Sequence, residues 1–215
     1  MSKIFLLPGL GADGRLYQRI DLSGHDAIYA DWIEPDKKDT LSTYAQKMVS
    51  HYHIESDSVV IGTSLGGMVA VEVAKLVHPE KVILISCPKT VDEMPGFLKI
   101  FRWLPLYKIV PAKSFSSLGF LIRFVFGQMG RNGMWLFKDM LIKSSPTFSR
   151  WAMGAALYWD NTVIPPNLYH ITGDKDLVFP SKNIKNAEII KGGEHTMIFE
   201  KAAELNQCLH RILAV

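Results

Sequence analysis

The residues best placed to do chemistry lie in the run Val59-Val60-Ile61-Gly62-Thr63-Ser64-Leu65-Gly66-Gly67. A serine with glycine two positions before and two after it, behind a β-branched stretch and ahead of a helical one, suits a sharp turn that holds the hydroxyl out from the backbone. Small residues at 62 and 66 keep the strand and the helix from colliding there. The plainer reading makes Ser64 a helix N-cap. A serine hydroxyl is a weak nucleophile until a base takes its proton, so the chemistry calls for a histidine, and the histidine for a carboxylate that orients it. Of the seven histidines, His25, His51, His53, His78 and His210 fall in loops or on helix surfaces, and His170 sits within a strand, where a structural role is expected. His195 follows a strand and the Gly192-Gly193 turn and precedes a helix, at the edge where a parallel sheet presents its ligands. Its plainer reading is a loop histidine. The preceding strand ends in Gly173-Asp174-Lys175-Asp176, which offers two carboxylates.

Attack on an acyl carbon also needs two N–H groups aimed at the developing negative charge. Leu65, the residue after the serine, supplies one at the positive end of its helix. A second glycine-rich loop, Leu7-Pro8-Gly9-Leu10-Gly11-Ala12-Asp13, follows the first apolar run. It is a poor phosphate loop, lacking both the third glycine of G-x-G-x-x-G and a following G-K-[ST].

The elements that must position these groups follow from periodicity. Apolar runs at 3–7, 27–32, 58–62, 81–85, 168–173 and 187–191 read as six strands. Between them lie a turn or short helix near 16–20, a helix through about 52 capped by Thr40 or Asp39, a helix over 64–77 and a closing amphipathic helix over 200–213. Strands alternating with helices make a parallel sheet covered on both faces.

With these residues in view the chain resembles the α/β-hydrolase superfamily, and within it the small, lid-bearing carboxylic-ester hydrolases of bacterial type that use a serine nucleophile. In that family a G-x-x-D turn followed by apolar residues and a proline supplies the acid. Gly173 to Asp176, followed by Leu177, Val178, Phe179 and Pro180, has that form, so the resemblance selects Asp176 and leaves Asp174 as an Asx-type turn residue. It also assigns the second oxyanion donor to Leu10, although Pro8 stands where the family commonly has histidine. The fold implied is a minimal α/β-hydrolase: a six-stranded parallel sheet formed by residues 1–87 and 160–215, with a helical lid, 88–159, inserted after the fourth strand. The function implied is hydrolysis of a small or amphipathic carboxylic ester or thioester through an acyl-enzyme, with Ser64, His195 and Asp176 as the triad. Carbon–carbon bond hydrolysis and a ligand-binding protein with little or no turnover are the alternatives on the same scaffold. A dehalogenase would need a carboxylate in place of Ser64.

Composition sets the outer bounds. At 215 residues and 48% hydrophobic, the chain has material for one domain with a full core. Its 24 basic and 21 acidic residues are mixed, which argues against a nucleic-acid arm. Arg123 splits the most apolar region, 119–127, so no integral membrane association is expected. Cys87 and Cys208 have neither metal-ligand spacing nor a disulfide framework, which points to the cytoplasm, and no H-E-x-x-H cluster exists, so no metal or cofactor is expected. The inserted segment is uneven: it holds 14 of the 23 aromatic residues, with ten basic side chains against three acidic ones. That suits an amphipathic acyl substrate with an anionic end, or transient contact with an anionic lipid surface. The plainer reading makes the rings lid core and the cations a solvated face.

Overall fold

The computed structural model describes residues 2–103, 127 and 129–214. Of the inserted segment's aromatic residues Tyr107, Phe115, Phe120, Phe124 and Phe126, and of its basic ones Lys108, Lys113 and Arg123, lie outside it. Six strands, β1 (Lys3–Leu7), β2 (Asp26–Tyr29), β3 (Val59–Thr63), β4 (Lys81–Ile85), β5 (Leu168–Gly173) and β6 (Glu188–Ile190), form one sheet in the order β2-β1-β3-β4-β5-β6. Every pair is parallel, as the alternation of strands and helices requires. Side chains alternate between faces. Phe5, Leu7, Val60, Val82 and Leu84 pack with α1 (Leu41–Tyr52) and α2 (Leu65–Val77) on one face. Ile4, Leu6, Ile61, Ile83, Ile85 and Ile171 pack against the C-terminal helices on the other.

Two strands are shorter than their apolar runs. β2 stops at Tyr29 because β1, its partner, passes into Pro8, which has no N–H to continue a ladder. β6 is confined to 188–190 because β5 ends at Gly173. The cap of α1 is Thr40, whose hydroxyl accepts from Thr43 N while Thr43 Oγ1 accepts from Thr40 N, a reciprocal capping box.

Between β4 and β5 the described residues form α3 (Gly96–Trp103), α4 (Arg131–Lys143) and α5 (Pro146–Tyr158). Ser145 caps α5 by accepting from Phe148 N, and Pro146 occupies the first turn, where its missing N–H costs nothing. The closing helix expected over 200–213 is α7 (Ala202–Leu213); a separate turn of helix, α6 (Met197–Glu200), precedes it and is divided from it at Lys201, whose φ of −119° and ψ of 30° leave the helical region. Met197, Ile198 and Phe199 are all buried, and consecutive residues cannot share one helix stripe; the break at Lys201 gives them a separate orientation from Leu205, Cys208, Leu209 and Ile212, which form the apolar face of α7. No helix among the described residues is long and apolar enough to cross a membrane.

The places where the chain leaves and re-enters the sheet are tied by buried polar groups. The Lys89 ammonium donates to the Glu93 carboxylate and the Lys185 carbonyl, and Glu93 also accepts from the backbone N–H groups of Lys89 and Lys185. Asn161, on the returning chain, donates to the Lys89 carbonyl and accepts from Lys75 Nζ, which is paired with buried Glu72. His170 completes the cluster: its Nε2 faces the Cys87 carbonyl at 2.7 Å and its Nδ1 faces Lys89 Nζ at 3.4 Å. The neutral imidazole with its proton on Nε2 satisfies both, since Nδ1 then accepts from the ammonium. Burial, and then the Lys89 charge, push this histidine down to about 4, against the opposing pull of Glu93 and the Cys87 carbonyl.

A depressed histidine makes folding acid-sensitive, because the unfolded chain takes up this proton near 6.5 and the folded chain near 4. The stabilisation is complete above pH 6.5 and is lost as the pH falls toward 4, on the order of 3 kcal/mol in all. Denaturant titrations at pH 7.5, 5.5 and 4.5 should show His170→Gln losing less stability than the parent on acidification. Equal losses would show that His170 does not titrate in this way.

Candidate active site

Three loops at the carboxyl edge of the sheet supply the site. Ser64 joins β3 to α2 with φ 55° and ψ −119°, a backbone conformation unfavourable to a residue with a Cβ. It is held there by the Ser64 N–H bond to the Ile85 carbonyl (2.9 Å) and by close approach on both sides. A side chain on Gly62 would overlap the backbone of Gly66, and one on Gly66 would overlap the carbonyl oxygens of Leu7 and Pro8. Ser64 makes no side-chain cap to its own helix. Its Oγ instead lies 3.0 Å from His195 Nε2.

His195 comes from the segment after β6, and its Nδ1 is 3.0 Å from Asp176 Oδ2. Both side chains are buried. The other carboxylate oxygen of Asp176 accepts from Val178 N and Phe179 N, each at 2.8 Å, which fixes the rotation of the carboxylate. The Phe179 ring packs 5.5 Å from the imidazole, centroid to centroid.

Asp174 serves differently from the expected Asx turn: its Oδ1 accepts from Gly192 N at 2.6 Å, eighteen residues on. Lys175 N donates to the Gly193 carbonyl at 2.9 Å, and Gly173 and Gly193 touch so closely that no side chain fits on Gly173. The two loops that carry Asp176 and His195 are thus bound together through their backbones. Asp174 and Asp176 divide the work, one joining the loops and one meeting the imidazole.

Leu65 is the first residue of α2, where backbone N–H groups have no partner within the helix. Leu10 and Gly9 line a small cavity with Ser64, Thr63, His195, Ala12, Leu16, Phe137, Thr196, Ile198 and Phe199. All five residues singled out in the sequence therefore converge: Ser64, His195 and Asp176 in one hydrogen-bonded line, and Leu10 and Leu65 beside the serine. The cavity is about 30 Å³. A much larger hollow of about 790 Å³ lies elsewhere, between α2, α5 and the loop before α1, and does not include Ser64. The groups able to do chemistry mark the smaller one.

Two contributors were not foreseen. Tyr17, fully buried beneath the site, donates to the Leu7 carbonyl at 2.6 Å and lies 3.0 Å from Thr63 Oγ1, so it links the loop after β1 to the turn before Ser64. Burial pushes its phenol well above the ordinary range, so it stays protonated. Phe137 reaches the cavity from α4, which is docked on the loop after β1 by Arg15, paired with Asp13 and Asp139, and by contact between Gly11 and Leu141. Neither residue has a local signal, because each acts through contacts far away in the chain.

The line Asp176, His195, Ser64 can move a proton. With Nδ1–H donated to the carboxylate, Nε2 is left as the acceptor for the serine hydroxyl.

No family model matches the sequence, and no curated protein matches it. Among solved structures, the fold is similar to that of an esterase from Exiguobacterium antarcticum, at 16% identity and a TM-score of 0.77, covering 100% of this chain and 92% of that one. It is also similar to a thermophilic esterase from Thermogutta terrifontis, at 15% identity and a TM-score of 0.75, covering 100% and 90%. A bromoperoxidase from Bacillus anthracis matches at 17% identity and a TM-score of 0.71, covering 100% and 92%. The chain has the α/β-hydrolase fold. Proteins of different chemistry share it, so the activity has to be argued from the site.

Proposed function

We propose that this α/β-hydrolase-fold chain is a serine hydrolase of small carboxylic esters or thioesters. The observation that carries the reading is the unbroken line from Asp176 Oδ2 through the His195 ring to Ser64 Oγ, 3.0 Å at each step, assembled from three separate loops. The esterases among the structures of this fold support it.

In the proposed reaction Ser64 Oγ bonds to the acyl carbon as its proton passes to His195 Nε2. The carbonyl oxygen takes up the negative charge between the N–H groups of Leu65 and Leu10. The imidazolium, held by Asp176, returns the proton to the leaving oxygen or sulfur as that bond breaks, and an acyl-enzyme remains. Water then gives its proton to His195 and attacks the acyl carbon, releasing the acid and restoring the Ser64 hydroxyl.

The cavity argues for a short acyl group. A volume of about 30 Å³ has room for about two waters, close to the size of an acetyl group, and Leu10, Ala12, Leu16, Phe137, Ile198 and Phe199 give it an apolar lining. Because Phe137 belongs to α4, the segment between β4 and β5 is read as a lid whose helix closes the acyl end of the site.

The test is the release of acid from nitrophenyl esters of two to twelve carbons, with turnover highest for the shortest. Hydrolysis no faster than that of Ser64→Ala would overturn the proposal. In the same series, Phe137→Ala should raise kcat/KM for hexanoate over that for acetate by roughly tenfold or more, since a methylene in an apolar pocket is worth about tenfold. An unchanged ratio would remove Phe137 from the acyl pocket.

A further inference from the structure

The loop after β1 passes the serine so closely that a Cβ built on Gly9 would lie 3.5 Å from Ser64 Cβ. In a trans peptide the C=O of one residue and the N–H of the next point in opposite directions. The direction of the Gly9 carbonyl therefore fixes the direction of the Leu10 N–H. That carbonyl accepts two hydrogen bonds, from Ala12 N at 3.1 Å and from the Trp32 indole Nε1 at 3.3 Å. The first comes from within the same loop and moves with it. The second comes from the segment after β2, and its ring is held independently: it stacks on Phe148 of α5, with centroids 4.9 Å apart and planes 24° apart, and tilts against Tyr44 of α1 at 6.1 Å. Phe148 and Tyr44 are themselves fully buried.

We infer that Trp32 is a positioning residue for the oxyanion site: its indole N–H holds the Gly9 carbonyl turned into the protein and so keeps the Leu10 N–H turned toward the carbonyl oxygen of an acyl group on Ser64. The inference rests on the serine hydrolase reading. It adds an external anchor to a loop whose Pro8 removes one backbone donor, and it makes α5 part of the support, since the ring that orients the peptide is packed on Phe148.

An oriented N–H acts on the charge that forms in the tetrahedral state and hardly at all on the planar ester. Trp32→Phe keeps an aromatic ring for the stack and removes the donor. The same donor can be removed at constant shape by replacing the indole at residue 32 with benzothiophene, which covers the case in which the phenylalanine variant folds poorly. In either variant, kcat for nitrophenyl acetate should fall about ten- to a hundredfold while KM stays within about twofold. The inhibition constant of a trifluoromethyl ketone, which forms a charged tetrahedral adduct with serine, should rise by the same factor, and binding of the matching methyl ketone should not change. Wild-type kcat in both variants would overturn the inference. So would a fall in kcat with no weakening of the trifluoromethyl ketone, because that pattern marks a general loss of structure. Failure of the parent enzyme to hydrolyse any ester would instead overturn the functional reading, so the two failures are distinguishable.

Discussion

Ser64→Ala is expected to lower kcat for the best short ester by about 10⁴-fold or more and to abolish covalent labelling by a fluorophosphonate, with KM little changed. The size follows from the proposed chemistry. Without Oγ no acyl-enzyme forms, and what remains is the attack of water assisted by the N–H groups of Leu10 and Leu65. Binding should persist because the cavity walls, Leu10, Leu16, Phe137, Ile198 and Phe199, are untouched. His195→Ala should cost a similar amount. The double variant should be little worse than either single one, since the two side chains act as one unit. Intact-mass measurement after incubation with the fluorophosphonate gives the clearest answer. A single adduct on the parent and none on Ser64→Ala is the expected pair, and equal labelling of both would remove Ser64 from its role.

Asp176→Asn is expected to lower kcat by about 10⁴-fold, the cost seen for the corresponding change in a serine protease, without unfolding the protein. The reason lies on the side of the carboxylate away from the histidine. Val178 N and Phe179 N both donate to Oδ1, so an amide here must place its oxygen toward them and its NH₂ toward His195. Nδ1, facing a donor, then has to accept, and the ring proton moves to Nε2. The imidazole meets Ser64 with an N–H where a lone pair is needed. Circular dichroism and a melting curve should be close to those of the parent, and ¹⁵N chemical shifts of the histidine ring should report the exchanged tautomer. A variant with parent-like turnover would show that Asp176 does not set the tautomer.

The sheet was legible in the sequence because strands buried on both faces read as unbroken apolar runs, and the β3–Ser64–α2 unit because a tight turn leaves glycines at fixed positions. What local pattern could not give was the choice between Asp174 and Asp176: both are short acids on one turn, and they differ in whether they meet Gly192 or His195, residues that come almost twenty positions later. The family resemblance selected Asp176, and the structure puts that carboxylate against the imidazole. The short helix at 197–200, ahead of the closing one, was hidden for a related reason. Three consecutive residues, 197–199, are buried, and Ile198 and Phe199 also line the cavity beside Ser64, contacts that no helical period announces. The surroundings of the serine were the least readable part, since Phe137 lines its cavity and Tyr17 ties Leu7 to Thr63 through contacts across the chain.

The buried cluster of Lys89, Glu93, Asn161 and His170 has a mechanical consequence. Separating one member of a buried ion pair from its partner costs about 3–5 kcal/mol, which would populate a state with the cluster pulled apart in fewer than about one molecule in a hundred. The two roots of the inserted segment are therefore clamped to the sheet and to each other, and they cannot serve as pivots. For the proposed lid this leaves Lys89 to Glu93 and Asn161 as fixed supports rather than hinges. The indole of Trp159 is pinned to Glu72, the carboxylate that also holds Lys75. The fixed support therefore reaches Trp159, at the C-terminal end of α5.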